Sequence, residues 1–456
     1  MNRRVTNGLI VLLGGCLLLA GVVRLTHSGL AWGVDFKVFY HAALRYTHGH
    51  DPYLEQGSAL QLPQAIRGEI KPLVLSWYLY PPLTSAILAP LALFNFPNAK
   101  AVWCVFLLAT LLVGIWRALS VIAPQWPASA RLLLLGLSTH AASIYWLALQ
   151  LQITMFIVGL LGLVLYAERS GRDRLLLVTG VLATCKPTFF LPVFCLLAFR
   201  ERWRMLGAIL AATLALNLLC ALPTGWRETY AGYRIAMANA QAPGTNNYPD
   251  ANETMRSMRF LPPRPIETTP GTRYPFTVGA VGEHLSWPYL FSALTRDLAR
   301  AKTLSLLCTA LSLTALVALW WRSRPLHADP EFLLRLYAVS ICLSLLCIYH
   351  LRYDSSALIY PFFISLALAS RRVTADTLAT ALLSFLLAFA FTTGVTRFLF
   401  LHFVMYSDRV WLVPYRSYGI TLTFLIALWG TWRYALQTGA ESERVHSPES
   451  SLRRAG

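Results

Sequence analysis

Apolar runs of bilayer-spanning length alternate with short polar turns along almost the whole chain. Runs near 8–26, 78–96, 100–119, 131–149, 152–167, 174–199, 204–222, 301–321, 332–350, 355–370, 376–399 and 411–433 each read as a helix. A run of roughly 18 to 20 apolar residues suffices to cross the hydrocarbon core. Strands of a membrane barrel would alternate apolar and polar positions instead. The pattern predicts an all-α, polytopic membrane protein of about twelve spans. Two long polar connections, 27–77 and 223–300, interrupt it, and short amphipathic helices are expected inside them. No internal repeat of fixed period is visible.

Composition agrees. The 456 residues are 56% hydrophobic and only 13% charged, against about 25% charged in a soluble domain. The net charge of +18 reports topology rather than nucleic acid, because no basic stretch is long enough to track phosphates. Arg3-Arg4, Arg200 to Arg204, Arg322 to Arg324, Arg371-Arg372 and Arg433 sit in short turns or at helix ends. That is the positive-inside signature and places both termini in the cytoplasm. The two long connections then fall outside. A simple alternation puts one cluster, Arg169 to Arg174, on the wrong side; Lys186-Pro187 can repair this by splitting 174–199 in two, with a re-entrant segment within 78–149 keeping parity. Residues 1–26 lack a good cleavage site and read as the first membrane helix. One integral membrane domain is expected over 1–434, and a disordered cytoplasmic tail over 435–456.

The candidate chemistry collects at the outer ends of helices. Asp35 opens a stretch, Asp35-Phe36-Lys37-Val38-Phe39-Tyr40-His41, whose apolar side suits a short helix lying on the membrane. Asp35 is either its N-cap or a general base that deprotonates a substrate hydroxyl. Lys186 lies within an apolar segment beside Pro187; it either snorkels to the interface or holds a phosphate in a polar cavity. His350, Arg352 and Asp354 meet at an outer corner. They form either a local ion pair or a second wall of the site, with Arg352 near phosphate and His350 or Asp354 orienting an acceptor. Gln150 and Gln152 either line the same cavity as Lys186 or are interfacial turn residues, and His41 and Tyr80 are further candidates for the wall at the outer corner. Loop 27–77 balances four acidic residues (Asp35, Asp51, Glu55, Glu69) with four basic ones (Lys37, Arg45, Arg67, Lys71). Loop 223–300 carries Asn246-Asn247-Tyr248-Pro249-Asp250 with Arg256, Arg259, Arg264 and Arg273, residue types suited to sugars and phosphates.

The signatures of nucleotide hydrolysis, zinc proteolysis and lipase chemistry are absent from the sequence. The eight cysteines all fall in apolar segments and read as small core residues, not as disulfides or metal ligands. No metal ligand set and no cofactor are expected.

The order Asp35-Phe-x-Val-Phe-Tyr-x-Ala-Ala43, Gly49-x-Asp51-Pro52-Tyr53, Tyr80-Pro81-Pro82, Gln150 or Gln152 before an apolar run, Lys186-Pro187 and a late His350-x-x-Tyr353-Asp354 resembles glycosyltransferase family 87. These are polyprenyl-phosphate-mannose-dependent mannosyltransferases with the C-type membrane architecture. The chain departs from the family's usual Gly-Gln-x-Asn motif, reading Leu149-Gln150-Leu151-Gln152-Ile153. The resemblance implies inverting transfer of a hexose, mannose on the family pattern, from a polyprenyl-phosphate sugar to a lipid or glycan acceptor. It places the site on the outer face of a bacterial inner membrane, among membrane lipids. It implies Asp35 as catalytic base, Lys186 for the donor phosphate and His350 on the acceptor side. On the chemistry of the residues themselves, Arg352 joins Lys186 at the phosphate, and Lys37, Tyr40, His41, Tyr80, Gln150, Gln152 and Asp354 join His350 in binding substrate or acceptor. A transporter or flippase of a lipid-linked saccharide, or an enzyme like the O-antigen polymerases and ligases, are the competing readings. Unusual residues at the outer helix ends rather than mid-membrane weigh against the transporter, and Asp35 in the first outer loop weighs against the polymerase.

Overall fold

The computed structural model describes residues 3–33, 35–53, 78–240, 284–347, 350–390, 411 and 414–445. The loop residues Glu55, Arg67, Glu69, Lys71, 246–250, Arg256, Arg259, Arg264 and Arg273 lie outside these. Within them the regular structure is helical, with one isolated antiparallel bridge between His284 and Leu351. The first half holds α1 (Arg3–Ala31), α2 (Phe36–Thr47), α3 (Pro82–Leu88), α4 (Phe96–Ile122), α5 (Ala128–Ser138), α6 (Ala142–Gln150), α7 (Thr154–Arg169), α8 (Asp173–Ala183) and α9 (Phe190–Phe199). The second half holds α10 (Trp203–Ala221), α11 (Trp226–Ala240), α12 (Trp287–Thr295), α13 (Leu298–Arg322), α14 (Pro330–Cys347), α15 (Ile359–Ala369), α16 (Ala375–Phe385) and α17 (Tyr415–Val445). The protein is an all-α, polytopic membrane protein.

Among the described residues five helices are long and apolar enough to cross a membrane: α1, α4, α10, α13 and α14. The pair α5 and α6 adds a sixth if its 58° bend is one broken span. Small residues let the buried helices approach. A Cβ on Gly114 of α4 would come within 2.0 Å of the Gly159 carbonyl of α7, so these helices touch backbone to backbone. Side-chain caps fix helix starts: Asn95 accepts from the Asn98 N–H, and Asp297 from Ala299 and Arg300.

The helices run between two polar ends. At one end Glu168 accepts from Arg200 (3.0 Å) and Arg202 (2.6 Å), and Arg202 also reaches Asp173 (2.6 Å). Arg335 and Arg433 both meet Asp376, and Arg371 reaches Gln125. The basic turns of α7–α10, α14, α15 and α17 are therefore gathered at one end. The start of α7 lies at the other; its 16 residues span about 24 Å, close to a hydrocarbon core.

One run divides as the sequence suggests, a second folds back on itself, and the last helix runs past its expected end. The run 174–199 is divided at Thr184–Lys186 into α8 and a 3₁₀ turn (Pro187–Phe189) leading into α9. Its two far ends, Asp173 and Arg200, meet at the same pole through Glu168 and Arg202, so the Arg169–Arg174 cluster joins the other basic turns. The run 78–96 is not one continuous helix. Pro81, Pro82 and Pro90 break it into α3 and a 3₁₀ turn (Ala89–Leu93), because proline withholds an N–H and clashes with the preceding turn. It forms a hairpin whose two ends, Tyr80 and Phe96, both contact α2, through Phe39 and Phe36. Finally, α17 extends to Val445, past the boundary placed at 434. The Arg433–Asp376 pair and buried Ala435 anchor that stretch, and residues 446–456 lie outside the described ones.

Candidate functional site

Asp35 is placed by a locked turn. Lys100 of α4 donates to the carbonyls of Leu30 (2.6 Å) and Trp32 (3.3 Å), satisfying groups that the end of α1 leaves without intrahelical partners. Gly33 follows with φ +48°, and a Cβ there would come within 2.5 Å of Lys100 Cε. The Gly33 and Asp35 N–H groups then donate to Leu149 (2.9 Å) and Gln150 (3.2 Å), tying the turn to the end of α6. Asp35 occupies the N-cap position of α2, yet its side chain makes no capping hydrogen bond. The carboxylate faces elsewhere: Gln152 Nε2 donates to Asp35 Oδ2 at 2.6 Å. The side chain of Asp35 therefore does not cap the first turn of α2.

Gln152 is set by its own backbone. Leu151 ends α6 in the left-handed region (φ 50°), its carbonyl held by Trp103 Nε1 at 3.0 Å, and the Gln152 N–H returns to Leu147. From there the side chain, 3% exposed, meets Asp35, Tyr80 (2.8 Å) and Tyr353 (3.0 Å). Burial, with Asp35 and Asp354 nearby, holds the Tyr80 phenol well above its usual pKa, so it stays a donor.

Beside this lies a charged cluster. Pro187 ends α8 and leaves Lys186 at the head of the following turn; Thr84 takes up the adjoining Cys185 carbonyl. Lys186 Nζ sits 2.6 Å from Asp354 Oδ1 and 2.7 Å from Thr154 Oγ1, above the rings of Phe189 and Tyr353. The Thr154 hydroxyl accepts from Lys186 and donates to Asp354 (2.8 Å). Asp354 Oδ2 takes the Leu351 N–H (3.1 Å) and lies 2.9 Å from His350 Nδ1. The carboxylate is thus saturated in a site where an unpaired charge would be strongly disfavoured. Tyr353 joins the two halves of the site: its hydroxyl accepts from Gln152 Nε2 (3.0 Å) and its ring lies under Lys186 Nζ.

Six of the residues singled out from sequence fall in two adjoining sets, Asp35 with Tyr80 and Gln152 and Lys186 with His350 and Asp354, and Tyr353 touches both. Others stand apart. Arg352 lies 3.8 Å over the Trp146 ring. Gln150 contributes its backbone carbonyl to Asp35. Tyr40 donates to the Phe94 carbonyl (2.7 Å) and packs on Phe36 and Phe96, which anchors the hairpin. His41 is buried in α2, and Lys37 is half-buried near Lys100. The amphipathic helix expected at 36–46 is covered on both sides, because the 82–93 hairpin packs onto it. Thr154 and Tyr353 were not anticipated. Thr154 follows Gln152 by two residues, and Tyr353 sits inside the His350–Asp354 motif; only the helix break at Lys186 could have linked them. Among the described residues no group of three His, Cys, Asp or Glu is placed to hold a metal ion.

The family model for glycosyltransferase family 87 matches residues 78–348. That stretch includes Tyr80, Gln150, Gln152, Thr154 and Lys186, begins after Asp35 and ends before His350. No curated protein and no solved structure matches the chain.

Proposed function

The chain belongs to glycosyltransferase family 87 and is on that ground a membrane glycosyltransferase, and we propose that it moves a hexose, mannose in our reading, from a polyprenyl-phosphate sugar to a lipid or glycan acceptor, with inversion. Asp35 is the general base. It takes the acceptor hydroxyl proton while the acceptor oxygen bonds to the anomeric carbon and the bond from that carbon to the phosphate oxygen breaks. The departing lipid phosphate carries the electron pair away, and Lys186 and Arg352 meet its charge. The scheme uses no cofactor, since the lipid-phosphate sugar is itself a substrate.

The observation that carries this reading is the Asp35 carboxylate, turned from the helix it could cap towards an amide at 2.6 Å, with the Lys186 ammonium over the ring of Tyr353, which bonds to the same amide. A base and a cation facing one space are the minimum that phosphate-leaving transfer requires. The gathering of basic turns at the pole opposite the site supports an outer-face site and cytoplasmic termini by the positive-inside rule. The setting proposed is a bacterial inner membrane, with twelve passages in total.

The test is transfer of radiolabelled mannose from synthetic polyprenyl-phosphate-mannose by the purified full chain, with host lipid extract as acceptor. Wild type should label a new lipid, and Asp35→Asn should fail to. Transfer by Asp35→Asn at the wild-type rate would remove Asp35 as base. A folded wild type inert with this donor and with other polyprenyl-phosphate hexoses would move the reading to a saccharide flippase.

A further inference from the structure

We infer that Gln152 is a positioning residue for the Asp35 carboxylate rather than a ligand for the acceptor, a role that rests on the reading of Asp35 as base. A glutamine amide offers two N–H donors and two carbonyl lone pairs. Here all four are used within the protein. Nε2 donates to Asp35 Oδ2 (2.6 Å) and to the Tyr353 hydroxyl (3.0 Å); Oε1 accepts from the Tyr80 hydroxyl (2.8 Å) and from the Ile153 N–H (2.9 Å). A sugar hydroxyl could bind Gln152 only by displacing one of these.

The network also fixes which way round the amide lies. The Ile153 N–H can only donate, so the atom facing it is oxygen, and the nitrogen must face Asp35. A backbone held by left-handed Leu151 and by Trp103 carries the side chain, leaving it one orientation. Donation to Oδ2 sets the carboxylate's angle and favours its ionised form. The second amide hydrogen goes to Tyr353, whose ring lies 5.6 Å beneath Lys186 Nζ. One amide therefore registers the base against the cation on the other side of the site.

The experiment titrates Asp35 directly in the purified full chain. Carboxyl infrared bands are followed against pH, and the Asp35 contribution is isolated by subtracting Asp35→Asn spectra. Gln152→Ala removes the donor and should raise the Asp35 midpoint by about one pH unit. Gln152→Glu keeps the shape and the bonds from Tyr80 and Ile153, and so is the variant expected to fold unchanged. It sets two carboxyls to share one proton and should raise the midpoint further. Asp35 titrating as in wild type in a folded Gln152→Glu protein would overturn the inference. Mannose transfer measured in parallel separates the two claims. Activity in Asp35→Asn sinks the base reading whatever the titration gives, and an unshifted midpoint sinks only the role of Gln152.

Discussion

Lys186 and Asp354 stand 168 positions apart in the chain, yet their charged atoms lie 2.6 Å apart. The pair is enclosed: the side chains are 12% and 2% exposed. Removing one partner strands the other charge in a low-dielectric site. Asp354→Ala should therefore destabilise the protein by about 3–5 kcal/mol, read as the loss of unfolding temperature in detergent. Lys186→Met combined with Asp354→Leu should recover much of that stability and none of the transfer activity. Equal stability of the single and double variants would show that the pair does not hold this corner together.

Gly33 is the hinge on which Asp35 is aimed. Its φ of +48° strains any side chain placed there, and a Cβ would come within 2.5 Å of Lys100 Cε, which must then shift. Gly33→Ala should destabilise by about 1–3 kcal/mol. It should also lower kcat, because the base moves while the phosphate side stays in place. Donor affinity should change little. An unfolding temperature and kcat both at wild-type level would mean that the turn tolerates a side chain and that Lys100 yields.

How much of this was legible in the sequence depends on range. The helices were, because apolar length is a local property. So was Asp35, since a carboxylate after a first apolar run stands out on its own. The break at Lys186 was visible through Pro187, and with it the repair of the Arg169–Arg174 cluster. The fate of 78–96 was not, because its apolar length argued for a span while its prolines argued against one. Only packing on Phe36 and Tyr40 decided between them. The partners of Asp35 were hidden for another reason. Gln152 lies 117 residues away, and its role depends on a left-handed Leu151, a conformation that a leucine does not announce. Thr154 looks like any helix-start threonine until Lys186 and Asp354 close on it.

At the opposite pole, Glu168 is almost fully buried and accepts from two arginines that are only partly covered. Glu168→Gln keeps the size but withdraws the charge both guanidiniums face. A loss of about 2–4 kcal/mol in stability is expected, below that of a fully enclosed pair because the arginines retain solvent. Since α7 separates this cluster from the site, kcat measured on the folded fraction should stay within about twofold of wild type. A large fall in kcat at preserved stability would mean that the two ends are coupled.

The last prediction concerns pH. Burial, with Arg45 nearby, pushes His41 of α2 from 6.5 down to about 4. The folded protein thus holds His41 neutral where the unfolded chain would bind a proton. Between those two values the unfolded state carries more protons, so stability rises with pH across that window. The contribution is fully present above about pH 6.5 and is lost as pH falls towards 4, and it is on the order of 3 kcal/mol. His41→Gln removes the titrating group while keeping a polar side chain of similar reach. Unfolding temperatures measured from pH 7.5 to 4.5 should fall less steeply for this variant than for wild type. Parallel curves would place the acid sensitivity elsewhere and leave His41 a bystander in the packing of α2.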